Sequence, residues 1–243
     1  MGRTAGRDAL RTLLARLATE LELNGNDLVI DREKAELLME ELKPKPSPLQ
    51  LFYEQIKDCR KCPLAESRTN FVFGTGDENA DIMFIGEAPG AEEDRLGEPF
   101  VGRAGQLLNR MLNEVGLRRE EVYIANVLKC RPPGNRDPRP EEVAQCLPYL
   151  LKQIELIQPK VLVCLGRIAA QTLLKTLSPL SRLRGQIHHF QGIPMVVTYH
   201  PAALLRNMGN YERSISDLRF ALRVYHEAAE REAGGEETGA EGA

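Results

Sequence analysis

The chain has 243 residues, is 42% hydrophobic and 28% charged, and carries a formal net charge of −3, which leaves room for one large domain with extensions. It has no apolar run long enough to cross a bilayer and no charged-then-apolar leader, which argues against membrane insertion or export and predicts a soluble, cytoplasmic protein. The net charge hides a basic middle: residues 43–226 carry 25 basic and 20 acidic side chains, against 6 and 9 in residues 1–42 and 1 and 6 in residues 227–243.

Leu10, Leu13, Leu14, Leu17 and Leu21, then Ala35, Leu38, Met39 and Leu42, recur at helical spacing. They predict two amphipathic helices in an N-terminal extension over 1–42, expected to dock on the main domain or to bind a protein partner. Lys43-Pro44-Lys45-Pro46-Ser47-Pro48 removes backbone donors at alternate positions and predicts a stiff, extended linker over 43–48. A compact domain is expected over 49–226. It begins with a helix that ends at Cys59-Arg60-Lys61-Cys62-Pro63. The apolar run Ile82 to Ile85, broken by Gly86 and Gly90, reads as a buried parallel strand that delivers a polar turn to the sheet's carboxyl edge.

A helix over Ala104 to Val115, a strand over Val122 to Val127, a rigid basic loop from Lys129 to Pro140 and a helix over Glu141 to Ile157 follow. Val161 to Leu165 and Ile193 to Thr198 supply two further strands. Strands alternating with helices of this length predict an α/β fold, a three-layer α/β/α sandwich around a four-stranded parallel sheet. The Gly- and Glu-rich tail over 227–243 is expected to be disordered.

Glu87, Asn126 and His200 each follow one of these strands, so all three are expected at one sheet edge, where such folds place their chemistry. Phe100 lies in Pro99-Phe100-Val101-Gly102, where no periodicity demands an aromatic ring. Taken singly, Glu87 as a helix cap and Phe100 as a core plug are equally good readings. The arginines gather at Arg131, Arg136 and Arg139, at Arg182 and Arg184, and at Arg206, Arg213, Arg219 and Arg223; such patches suit a phosphate-bearing partner, and a solvated helix face accounts equally well for the last group. Cysteines in a reducing compartment are not expected to pair. Cys59-x-x-Cys62, with Cys130 and Cys146 flanking the proline-rich loop, forms a four-thiolate set that suits zinc or an iron–sulfur cluster in a structural role, and spacing does not choose between them. Cys164, mid-strand, reads as an inert packed thiol.

With these pieces placed, residues 49–226 resemble the iron–sulfur, family 4 uracil-DNA glycosylases. The resemblance is carried by Gly86-Glu87-Ala88-Pro89-Gly90 with Glu92-Glu93-Asp94, Glu98-Pro99-Phe100-Val101-Gly102, Ala125-Asn126-Val127-Leu128-Lys129-Cys130 and His200-Pro201-Ala202-Ala203-Leu204-Leu205-Arg206-Asn207. It implies an enzyme that flips deoxyuridine from single- or double-stranded DNA, as a monomer, and hydrolyses its N-glycosidic bond to begin base excision repair. It also implies a [4Fe-4S] cluster on Cys59, Cys62, Cys130 and Cys146, with structural zinc as the alternative. Phe100 would stack on the base, Asn126 would read its edge and His200 would donate to its O2 position. Glu87 would orient water or stabilise the sugar cation. Ala88 replaces the aspartate of related families, so leaving-group stabilisation is expected to dominate.

Glu93 is the candidate wall against the thymine methyl, although an acidic first helical turn explains it equally. Leu204, backed by Leu205 and Arg206, is expected to be the exposed wedge that fills the flipped nucleotide's place, and Arg131 and Arg136 to hold phosphates. Two rivals remain: a relative that stays covalently attached to the abasic sugar, here through His188 or His189, and a metal-stapled nucleic-acid-binding module without catalysis.

Overall fold

The structure, a computed structural model, describes residues 45–236, with the last six given as backbone. Two compact units divide between Ser47 and Pro48, and the helices expected over 1–42 lie outside the described residues. The second unit opens with α1 (Pro48–Ile56) and α2 (Leu64–Ser67), followed by β1 (Thr75–Gly76) and β2 (Ile82–Gly86). Next come α3 (Ala91–Leu96), α4 (Arg103–Glu114), β3 (Tyr123–Asn126), α5 (Pro140–Ile157), β4 (Val161–Leu165) and α6 (Arg167–Leu174). The chain ends with α7 (Leu180–Leu183), β5 (His188–Phe190), β6 (Ile193–Thr198), α8 (Pro201–Arg206) and α9 (Tyr211–Glu236). Among the described residues no helix is long and apolar enough to cross a membrane.

The sheet has six strands in the order β1-β3-β2-β4-β6-β5, not four. The inner four, β3, β2, β4 and β6, are the expected parallel set. The outer two are antiparallel additions, β1 on β3 and β5 on β6. They escape prediction because two and three residues carry no alternation that can be read.

Both faces of the sheet are covered, as the near-continuous apolar strands require. On one face, Met83, Ile85, Leu162, Cys164, Met195 and Val197 pack with Leu49 and Ile56 of α1 and with Leu150 and Ile154 of α5. On the other, Phe84, Val163 and Val196 meet Leu107, Leu108 and Met111 of α4 and Ile215 and Leu218 of α9. The tail expectation needs correction: α9 continues to Glu236, so residues 227–236 are helical. Their Glu- and Ala-rich composition favours helix once α9 is nucleated against the sheet.

Candidate active site

Among the parallel strands, sequence order runs outward in both directions from β2, with β3 on one side and β4 then β6 on the other. Such a reversal opens a crevice at the carboxyl ends of the strands. There lies a cavity of about 410 Å3, lined by Glu87, Ala88, Glu93, Phe100, Asn126, Asp137, His200 and Arg206, among others. Residues from five separate stretches of sequence thus face one space, with Glu87, Asn126 and His200 among them at strand ends.

The floor is built by β2 and β3. Their pairing continues past the strands, with Val127 N donating to Gly86 O and Leu128 N to Glu87 O, each at 3.0 Å. Asn126 is 2% exposed. Its Oδ1 is a fully buried side-chain acceptor that has no partner among the described residues. Gly86 makes the floor possible: a Cβ there would stand 2.3 Å from Asn126 Oδ1 and 2.6 Å from Phe100 Cζ.

Phe100 holds a left-handed backbone, φ 53°, a strained state for an aromatic residue. Two side chains hold it there. Arg119 donates to Phe100 O at 3.0 Å and to Pro99 O at 2.5 Å. Glu93 Oε1 accepts from Val101 N at 3.0 Å and Gly102 N at 2.9 Å, while its Oε2 accepts from Gly90 N at 3.2 Å. The carboxylate therefore staples the two motif loops together. Its engagement with three backbone amides, rather than a bare acidic turn, explains why glutamate stands there.

His200 caps α8, its Nδ1 accepting from Ala202 N at 3.1 Å. Its ring lies 5.4 Å from the Phe100 ring at 34°. Gly166, at φ 95°, lets it approach, since a Cβ there would meet His200 Cβ at 2.9 Å. Burial, with Arg206 next, pulls the His200 pKa down to about 4 against the pull of Glu93. The ring is therefore neutral near pH 7, and because Nδ1 accepts, the proton sits on Nε2, free to be donated.

Glu87 moves the other way. Desolvation first, then Asp137, raise its pKa to about 7, with Arg167 opposing. Asp137 pairs with Arg167 at 2.7 Å. Neither residue carried a signal in the sequence, because each sits on a loop or helix start whose fold decides what it faces.

The arginines separate. Arg206 is exposed and lines the cavity. Arg136 also lines it, but its guanidinium pairs with the buried Glu142 carboxylate at 2.5 Å. Arg131 donates to Asn135 Oδ1 at 2.8 Å, which ties it to its own loop. The wedge expectation fails for Leu204, which is 0% exposed and belongs to the core beneath α8. Leu205 is half-buried against the same core. In a six-residue helix capped by His200, position 204 turns back onto the sheet side. The exposed apolar side chain nearby is Met208, at 52%, on a turn that Asn207 orders by accepting from Gly209 N at 3.1 Å. His188 lies on the edge strand with Nε2 2.8 Å from Leu183 O, and neither it nor His189 lines the cavity.

The four cysteines singled out by spacing, Cys59, Cys62, Cys130 and Cys146, line one small cavity beside Arg68, Phe71 and Tyr149. Three of their sulfurs accept hydrogen bonds: Cys59 from Tyr149 OH, Cys130 from Arg68 Nη1 and Cys146 from Lys129 N, each at 3.2 Å. Burial pushes the Cys130 and Cys146 thiols up, the latter to about 12, and the contacts from Arg68 and Lys129 oppose that rise. Among the described residues, however, no group of three or more His, Cys, Asp or Glu side chains is arranged to hold a single metal ion. Cys164 is buried in the core of β4.

A neutral histidine donor, an aromatic ring on a left-handed turn and a buried amide face one cavity at the sheet edge of this α/β protein, and the Uracil DNA glycosylase superfamily model matches residues 73–223. Over 173 residues the chain is 50% identical to a protein named Type-4 uracil-DNA glycosylase from Archaeoglobus fulgidus, covering 68% of this chain and 87% of that one. A protein of the same name from Thermotoga maritima is 49% identical over 170 residues, 69% and 88% of the two chains. A Type-5 uracil-DNA glycosylase from Pyrobaculum aerophilum is more distant, at 34% over 191 residues, 65% of this chain and 84% of that one. The chain belongs to the type-4 family of uracil-DNA glycosylases.

Proposed function

We propose that this protein excises uracil from DNA by hydrolysing the N-glycosidic bond, leaving an abasic site for repair. The observation that carries the assignment of roles is the orphaned Asn126 Oδ1 in the cavity floor. A buried acceptor without a partner is costly unless a ligand satisfies it. Uracil offers an N3–H to that oxygen and a carbonyl to the amide nitrogen, whereas cytosine presents the reverse pattern. Phe100 stacks on the flipped base. As the bond to C1′ stretches, negative charge grows on the base, and the Nε2–H of His200 meets it at O2. Glu87, ionised above about pH 7, orients water toward the sugar and balances the cation there. Ala88 supplies no carboxylate, so stabilisation of the departing base supplies most of the rate.

Arg206 and the Arg131–Arg136 loop flank the DNA path. Met208, rather than Leu204, enters the stack. The four thiols hold a [4Fe-4S] cluster that shapes the loop from Lys129 to Pro140. Structural zinc on the same four thiols is the alternative, and visible absorbance separates the two. Free cysteines and a DNA substrate suit a reducing cytoplasm, and the enzyme acts as a monomer.

The test is product release. Purified protein frees uracil from a uracil-containing oligonucleotide and leaves an alkali-labile site, and Asn126→Ala lowers the rate at unchanged fold. Absence of release from both single- and double-stranded DNA, with the visible absorbance of the cluster intact, sinks the proposal. A gel-stable protein–DNA adduct would replace it with the covalent reading, which the tethering of His188 to Leu183 O disfavours.

A further inference from the structure

Lys129 is a basic side chain 0% exposed to solvent, and the mechanism above does not use it. Burying a lysine amine is costly unless it is hydrogen-bonded, and an apolar chain of the same length would fill the slot without that cost. Its hydrogen bonds show what the lysine does instead. Nζ donates to the backbone carbonyl of Asn126 at 2.9 Å and to Gln153 Oε1 at 2.5 Å. Gln153 is anchored in turn, its Nε2 donating to Phe73 O at 3.0 Å and Tyr123 OH at 3.3 Å. The backbone of Lys129 points to the other centre: its N–H donates to Cys146 Sγ at 3.2 Å, and Cys130 is the next residue. Its carbonyl accepts from Val72 N at 2.9 Å. One residue thus grips the peptide of the base-reading asparagine with its side chain and the thiol cavity with its main chain.

Resting on the uracil-excising reading above, we propose that Lys129 is a positioning residue that fixes the Asn126 amide for the pyrimidine edge and sets its register against the four-cysteine centre. It touches neither base nor sugar. An asparagine side chain has two rotatable bonds, and its reading geometry is only as fixed as the peptide that carries it. β1 pairs with β3 only as far as Ile124, so on that side Lys129, braced by Gln153, supplies the hydrogen bond that a longer strand would give the Asn126 peptide.

The test compares wild type with Lys129→Met, and with Lys129→Gln as a second variant should the apolar chain impair folding. Visible absorbance and thermal melting are followed alongside function. Affinity for free uracil is expected to fall at least tenfold and kcat 10- to 100-fold, while affinity for DNA carrying a stable abasic-site analogue stays within twofold and the absorbance is unchanged. A purely structural residue would lower melting and both affinities together, as the packing control Leu150→Ala should. If wild type releases uracil and both folded variants match it, or if uracil and abasic-DNA affinities fall equally, Lys129 does not position the amide. If wild type neither binds nor releases uracil, the functional reading falls first, and this inference with it.

Discussion

At the scale of single residues, the proposed chemistry rests on two side chains pushed away from their ordinary protonation. Burial makes His200 neutral above about pH 4, so it contributes no pH dependence in the working range. His200→Ala is expected to lower kcat about 10²–10³-fold, the usual loss for one preorganised donor, in single-turnover assays at saturating enzyme. On the proposed mechanism Glu87, its pKa raised to about 7, acts as the carboxylate, so the rate is expected to rise with pH through about 7 and then level off. In Glu87→Gln that acid limb should vanish along with much of the rate. The sign for stability is opposite: a raised carboxylate pKa means the folded state holds its proton more tightly, so folding loses stability as pH climbs from about 4.5 to about 7. Glu87→Gln should therefore melt higher than wild type at pH 8 and no differently at pH 4.

The same scale separates Leu204 from Met208. Leu204→Ala removes a fully buried side chain and should destabilise the fold by about 2–5 kcal/mol in denaturant melts. Met208→Ala should leave stability alone and slow excision from duplex more than from single strands, since only duplex leaves a gap to fill. Position along the motif suggested the first as the wedge. Exposure, which depends on how α8 seats against the sheet, selects the second.

Elements show why some of the site was legible and some was not. Three strand ends with a polar residue apiece could be read from the apolar runs that precede them, and those runs put Glu87, Asn126 and His200 at one sheet edge. The loop bearing Phe100 could not be read so far. Its left-handed turn depends on Arg119, nineteen residues downstream of Phe100, and on Glu93, whose carboxylate binds backbone amides. No local pattern encodes such long-range bonds to carbonyls and amides. Arg119→Met should release the strained turn, with uracil release falling about tenfold or more and crystallography showing the Phe100 ring displaced from His200. The two outer strands were missed for a related reason, being too short for any periodicity to register.

At the scale of the whole molecule, the four cysteines were legible as a set because two of them border α1 and two border the basic loop, and the fold brings all four to one cavity. What the sequence did not reveal is how that centre reaches the active site. Lys129 and Cys146 connect them through main chain and side chain, so the thiol centre and the base pocket are neighbours in structure as well as in sequence. Cys62→Ser should therefore lose the visible absorbance, destabilise the protein in thermal melts and depress uracil release together. Residues 43–226 carry the basic excess, and salt should weaken binding to undamaged DNA accordingly.

The outer rims of the sheet have a practical meaning for the protein in bulk. Each counter-running border strand is only two or three residues long, which gives a stray segment from another molecule little to zip alongside. The sheet margins are thus poor templates for edge-to-edge fibre growth in concentrated samples.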